Sequence, residues 1–231
     1  MSIIDIKNLT KVYGSKAALS GVELHIEKGQ IVGLMGPNGS GKTTLIKTLM
    51  GLLRADSGTV LIDGKAPGAE TKAHIAYLPD RITYPNYMTA GGLVQMYQDF
   101  FADFDKLNAM SMLNDLGIEP GLKLKAMSKG TKEKVQLILT MARKAEVYLL
   151  DEPIAGVDPA TRDYILKTII SNYNPEAVVI ISTHLIADVE AVLDDVIFIK
   201  EGEIVVHETA DNLREQKGQS IDKLFREVFK C

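Results

Sequence analysis

A short β-type run, Ile31 to Leu34, leads directly into Gly36-Pro37-Asn38-Gly39-Ser40-Gly41-Lys42-Thr43 and then into a helix-compatible stretch, Thr44 to Met50. The octapeptide fits G-x-x-x-x-G-K-[ST] in the strand–loop–helix setting that this motif requires. Its chemistry follows from its parts. The glycines let consecutive backbone N–H groups curl around phosphate oxygens, and the helix N-terminus adds partial positive charge. Lys42 reaches β- and γ-phosphates, and the Thr43 hydroxyl can ligate Mg²⁺. An ordinary Gly-rich turn accounts for the glycines but not for a lysine and a hydroxyl in register behind them. The ligand class is a nucleoside triphosphate, and the chain must contain at least one β–α unit.

A magnesium-bound triphosphate needs a carboxylate, and Asp151 ends a second apolar run, Val147 to Leu150, where the C-terminal edge of a parallel sheet presents residues to ligand. Glu152 follows it, placed to polarise a water molecule rather than to bind the cation, which favours hydrolysis over transfer to another acceptor. A third run, Val178 to Ile181, is followed by Ser182, Thr183 and His184. A histidine at such an edge can touch both the γ-phosphate and the attacking water. His25, His74 and His207 lack that company and are read as surface or capping residues.

Organisation along the chain supports one α/β unit. Early runs, Ile3 to Ile6, Val22 to Ile26, Val60 to Ile62 and Ile75 to Leu78, are short, and some alternate as half-buried strands do. The later runs are continuously apolar, as strands are when helices cover both faces of a sheet. Two strand types predict two sheets or one mixed sheet. Residues 88–145 instead show helical spacing, with Leu93, Met96, Tyr97, Phe100 and Phe101 on one stripe. Ser128 is the expected N-cap of a helix burying Val135, Ile138, Leu139 and Ala142. Ile221, Leu224, Phe225, Val228 and Phe229 mark a C-terminal amphipathic helix, read as core in preference to a docking face. The expected fold is a P-loop α/β domain over residues 1–231: a mostly parallel core with an N-terminal antiparallel β subdomain (1–87 and 146–231) and an inserted helical subdomain (88–145).

Composition excludes other classes. The chain has 231 residues, and 26 Lys+Arg against 30 Asp+Glu leave a net charge of −4, so no global field draws it to nucleic acid. Cys231 is the only cysteine, which rules out an internal disulfide and suits a reducing, cytoplasmic setting. The longest apolar run, Ala177 to Ile181, falls far short of the roughly 20 residues of a membrane span, and Asp5 interrupts the start where a signal peptide is apolar. Any service at a membrane is expected to run through a partner.

With these residues in order, the sequence resembles the nucleotide-binding subunits of ABC transporters. Tyr13 stands in the place of the aromatic that stacks on adenine, and Gly36 to Thr44 resembles Walker A. Ser128-Lys129-Gly130-Thr131-Lys132 resembles the signature motif, and the run ending Asp151-Glu152-Pro153 resembles Walker B with its catalytic glutamate. Gly156-Val157-Asp158 resembles the D-loop and His184 the switch histidine. The resemblance implies an ATPase that works as a head-to-tail dimer, each ATP sandwiched between one subunit's Walker A and the other's Ser128, Gly130 and Thr131, beneath integral-membrane subunits on the cytoplasmic face of the membrane. The partner cassette is either a second copy or a related chain.

Two departures carry information. Met127 to Lys132 reads MSKGTK where the family usually has a form close to L-S-G-G-Q, a variant resembling that of bacterial subunits paired with ABC-2-type exporters, which favours export. The glutamine expected after Tyr-Leu-Pro is Asp80, whose carboxylate can still meet Mg²⁺ or water. The lysines at 123, 125, 129, 132 and 134 form either a solvated helix edge or a field for the opposing nucleotide's phosphates. Arg81 to Met88, with Tyr84 and Tyr87, is the expected contact with a membrane subunit. A soluble ATP-gated clamp is the alternative to transport, and a small-molecule kinase shares the P-loop but leaves the Ser128 segment without a purpose.

Overall fold

The structure, a computed structural model, describes residues 2–81 and 84–230, without the side chains of Ala160, Gln216 and Lys217. Cys231 and two members of the Arg81 to Met88 segment, Ile82 and Thr83, lie outside the described residues.

Both strand types occur, in separate sheets. β1 (Ser2–Tyr13), β2 (Lys16–Glu27) and β4 (Ser57–Ile62) form an antiparallel sheet in the order β2-β1-β4. The second sheet runs β5-β6-β7-β3-β8-β9. In it β3 (Ile31–Met35), β5 (Ile75–Leu78), β6 (Val147–Asp151), β7 (Val178–Thr183) and β8 (Asp195–Lys200) are parallel, and β9 (Glu203–Thr209) closes one edge antiparallel to β8. Every position of β3, β6 and β7 is buried, which is why their sequences run apolar without alternation. The period of two survives in the partners. Met35, Tyr148, Leu150, Val179 and Ile181 enter one apolar cluster, while Val32, Leu34, Leu149 and Ile180 enter another shared with β1, β2 and β4.

The helices are α1 (Lys42–Leu49), α2 (Ala69–Ala73), α3 (Ala90–Phe100), α4 (Lys106–Asp115), α5 (Lys129–Met141), α6 (Pro159–Asn172), α7 (Ile186–Val189), α8 (Ala210–Lys217) and α9 (Ile221–Phe229). Ser128 caps α5 as the sequence predicts, its Oγ accepting the Thr131 N–H at 3.1 Å, an arrangement worth about 1 kcal/mol. Val135, Ile138, Leu139 and Ala142 pack with Leu93, Val94, Phe104 and Met112 in a third cluster whose buried members fall within residues 90–142, with Tyr84 and Met88 packed against it. One expectation fails here: Phe100 is 77% exposed. Helix α3 ends at Phe100, and Phe101 turns extended (φ −122°, ψ 113°), with its ring 5.1 Å from that of Tyr97, so the last helical position is left facing outward. Val94, absent from the predicted stripe, is buried instead. Helix α9 is core, as expected: Ile221, Leu224 and Phe225 are buried, and the Phe225 ring meets Phe198 of β8 edge-on at 5.5 Å.

Beside the apolar contacts of Leu137 and Met141, a buried charged side chain joins the helical segment to the sheet. Arg143, 3% exposed, donates to the Asp103 carboxylate at 2.9 Å, to the Ile75 carbonyl at 2.8 Å and to the Ala73 carbonyl, while its guanidinium sits 3.9 Å from the Phe101 ring centroid. Breaking such a buried, fully partnered ion pair costs about 3–5 kcal/mol.

Candidate nucleotide site

The phosphate loop is held from both sides. A Cβ on Gly36 would collide with the Ile199 carbonyl and the Ser40 hydroxyl, and one on Gly41 (φ +118°) would come 2.6 Å from the Ala18 carbonyl. These two glycines are thus required by packing beneath the loop, whereas Gly39 (φ +81°) faces open space and is required only by its left-handed backbone. Pro37, Asn38 and Gly39 form the exposed tip, while Ser40, Gly41 and Lys42 are buried beneath it. The turn after β8 acts as a bracket: Gly202 N–H donates to the Ser40 carbonyl and Ser20 N–H to the Gly202 carbonyl, both at 2.9 Å. The Lys42 ammonium, 5% exposed, donates to the Gly36 carbonyl at 2.7 Å and lies 3.3 Å from Glu152 Oε1. Thr43 and Thr44 open α1, half-buried.

The ends of β6 and β7 supply the acids. Asp151 is 1% exposed, and its Oδ1 accepts from Thr43 Oγ1 at 3.1 Å and Ser182 Oγ at 2.7 Å. Its Oδ2 is buried with no hydrogen-bond partner. Burial raises the Asp151 carboxyl above the usual aspartate range, the charges of Asp80 and Glu152 add to that rise, and the hydrogen bonds from Ser182 and Thr43 oppose it. Ser182 is the residue that sequence reasoning missed. It lies opposite Asp151 in the parallel register, and its carbonyl and hydroxyl both accept from the Glu152 N–H, at 3.1 and 3.0 Å. A serine two residues before the histidine was the available signal, but the pairing joins segments that only the fold brings together.

Glu152 adopts φ +52°, a left-handed geometry costing a non-glycine residue roughly 1–2 kcal/mol, and it turns the side chain off the strand axis. Its Oε2 is 2.9 Å from His184 Nδ1 and its buried Oε1 faces Lys42 without hydrogen-bond geometry. The glutamate is therefore held between an ammonium and an imidazole.

Asp151, Glu152 and His184 border a cleft of about 490 Å³ whose walls also include Asn38 and Asp80 on the sheet side and Lys129 and Glu133 on α5. Burial raises the Glu133 carboxyl, with the Lys129 ammonium 3.6 Å away opposing the rise. Burial also raises the Tyr77 phenol, helped by the charges of Asp151 and Asp80. Asp80 is exposed at the rim, where among the described residues its one ion pair is a 3.7 Å contact with Arg81. Among the described residues no three of His, Cys, Asp and Glu converge as a metal cluster. The donors fit a hard cation nonetheless: a hydroxyl and a carboxylate share one point, and a buried carboxylate oxygen there lacks a partner.

Several predicted residues stand outside this cleft. Ser128, Gly130 and Thr131 are at the α5 N-terminus, the two hydroxyls 2.8 Å apart and a Cβ on Gly130 meeting nothing within 4 Å. Asp158 caps α6, accepting the Thr161 N–H at 3.0 Å and the Thr161 hydroxyl at 2.7 Å, and these bonds hold its carboxyl below the usual range. Tyr13 is 50% exposed at the end of β1, with the Lys11 ammonium 5.6 Å from its ring centroid.

The sequence profile of the family described as ABC transporter matches residues 19–155. The ABC transporter ATP-binding protein YtrB of Bacillus subtilis (strain 168) is 31% identical over 219 residues, spanning 93% of this chain and 74% of that protein. The linearmycin resistance ATP-binding protein LnrL of the same organism is 30% identical, spanning 94% of this chain and 72% of that one. A solved structure of an ATP-binding subunit of an ABC transporter superposes with a TM-score of 0.88 at 26% identity, covering 98% of this chain and 99% of that chain. With a phosphate loop, an adjoining acidic edge and this likeness over nearly its whole length, the chain belongs to the ABC transporter family, as one of its ATP-binding, ATP-hydrolysing subunits.

Proposed function

We propose that the chain hydrolyses ATP at the edge formed by residues 36–44, Asp151, Glu152 and His184, and that this drives movement of a substrate by membrane subunits it docks against. The observation that carries the reading is Glu152, strained in its backbone and held between Lys42 and His184 one residue from the Thr43–Asp151 pair. Backbone N–H groups of the loop and the Lys42 ammonium bind the β- and γ-phosphates. Glu152 Oε2 takes the proton of the attacking water, and His184, hydrogen-bonded to that carboxylate, orients it and faces the γ-phosphate. Thr43 and Asp151 would hold Mg²⁺, with Asp80 at the rim beside them. Such an ion, when bound, would supply charge neutralisation at the phosphate oxygens.

Ser128, Gly130 and Thr131 serve another subunit's nucleotide in this reading. Support comes from their presentation: a capping hydroxyl and open backbone at a helix N-terminus suit a phosphate. Tyr13 stacks on adenine and Asp158 borders the neighbouring site. Residues 1–231 act as one ATP-binding unit, with 88–145 as the helical insert. No helix among the described residues is long and apolar enough to cross a membrane. In this reading cargo passes through partner subunits, and the chain sits peripherally on the cytoplasmic face. Export is favoured by the S-K-G segment and by the resistance function in the printed name of the LnrL relative.

Glu152→Gln tests the reading. It is expected to bind ATP and associate stably while phosphate release falls by roughly 10²–10⁴, the usual loss on removing a general base. Undiminished turnover in that variant would remove Glu152 from its role.

A further inference from the structure

The phosphate-binding edge contains an electrostatic imbalance. Asp151 is buried, makes no ion pair among the described residues and keeps Oδ2 unpartnered. Buried carboxylates are ordinarily matched by a cation, because desolvating an isolated charge costs several kcal/mol. The nearby ammonium does not match it, since Lys42 is directed to the Gly36 carbonyl and Glu152. Asp80 adds a second carboxylate on the same cleft. In the parallel register Leu78 of β5 pairs with Leu150 of β6, so Asp80 and Asp151 leave the sheet at neighbouring points of one edge. The Tyr77 hydroxyl, on the same strand as Leu78, is also buried without a hydrogen-bond partner among the described residues. Arg81, largely exposed and 3.7 Å from Asp80, offers only a weak surface pairing.

We infer that Asp80 turns this edge into a divalent-cation site that loads before the nucleotide, with Thr43 Oγ1, Asp151 Oδ2 and the Asp80 carboxylate as its protein oxygens. The inference rests on the nucleotide-site reading above and deepens it. A P-loop with one carboxylate and one hydroxyl gathers its cation mainly through substrate phosphates, because Mg²⁺ keeps several waters and gains little from a single charge. A second carboxylate doubles the protein charge at the site, so the cation no longer depends on the phosphates to be held. Binding of the metal first would also relieve the mutual repulsion of the two acids and leave the loop facing a neutralised edge when ATP arrives.

The test uses Mn²⁺ as the probe, with the full chain and no nucleotide, reading free Mn²⁺ by electron paramagnetic resonance. One equivalent is expected with a Kd below about 1 mM, and Asp80→Asn or Asp80→Gln should weaken it by about tenfold or more. A wild-type chain that takes up no Mn²⁺ in that range overturns the inference, as does uptake that Asp80→Asn leaves unchanged. Binding of a fluorescent ATP analogue in the presence of chelator reports folding of the variants and the nucleotide reading separately. If both variants bind the analogue as wild type does, lost Mn²⁺ affinity belongs to Asp80. A wild-type chain that fails to bind the analogue would instead break the proposed function.

Discussion

The two regions proposed to handle nucleotide are built in opposite ways. At the phosphate loop almost every group is fastened to something distant: Ser40 to the turn after β8, Lys42 to Glu152, Asp151 to Thr43 and Ser182, Glu152 to His184. At the start of α5, Ser128 and Thr131 satisfy each other, and Gly130 borders open space. The first region is over-determined and the second is merely presented. That difference is what the proposed shared site demands, since a surface that must meet another molecule cannot be committed to its own.

Arg143 gives the largest expected effect, because it is a buried polar tie between the segment that carries α5 and the sheet, beside the apolar contacts of Leu137 and Met141. Arg143→Ala should lower stability by about 3–5 kcal/mol in denaturant unfolding, through the stranded Asp103 and two orphaned carbonyls. A loss below about 1 kcal/mol would mean that the helical segment is held by its apolar contacts alone. The glycines give the direct contrast. Gly41→Ala places a methyl against the Ala18 carbonyl at a φ of +118° and should cost about 1–3 kcal/mol. Gly130→Ala meets nothing and sits in the first turn of α5, so stability should hold or rise by up to about 1 kcal/mol while ATP turnover falls. Equal melting shifts for the two variants would erase the distinction.

The smallest effect concerns the hairpin that supports the loop. His207 Nε2 is 2.9 Å from Asp195 Oδ2, and this hydrogen bond raises the imidazole above its ordinary value, with burial opposing and the charges of Asp195 and Glu208 adding. A raised folded-state value means that the stabilisation is complete below the unfolded histidine's pKa of about 6.5 and disappears as pH rises through the folded value. Wild type should therefore exceed His207→Gln by less than about 1 kcal/mol near pH 6, the gap closing toward alkaline pH in thermal melts. A gap that widens with pH would reverse the sign assigned to the pair.

The fastened region was the more legible in sequence, for a physical reason. Its chemistry sits in contiguous stretches, residues 36–44 and 151–152, that follow strands whose unbroken apolar character betrays burial on both faces. What escaped was whatever depends on pairing across the fold. Ser182 gains its role only because β7 lies beside β6, and Arg143 only because the helical segment lands on β5. The β8–β9 hairpin was not singled out, since its outer strand alternates between exposed and half-buried positions and carries His207 and three glutamate or threonine side chains. Phe100 misled because periodicity marks a stripe but does not say where a helix stops.

The hydrogen bonds from Ser20 to Gly202 and from Gly202 to Ser40 carry a wider consequence. A signature of eight residues, however recognisable, is not a transplantable part: lifted into another scaffold with only its flanking strand and helix, it would keep its letters and lose the brace that sets its curvature. Whoever wishes to graft it must also carry over a glycine encoded near the opposite end of the polypeptide.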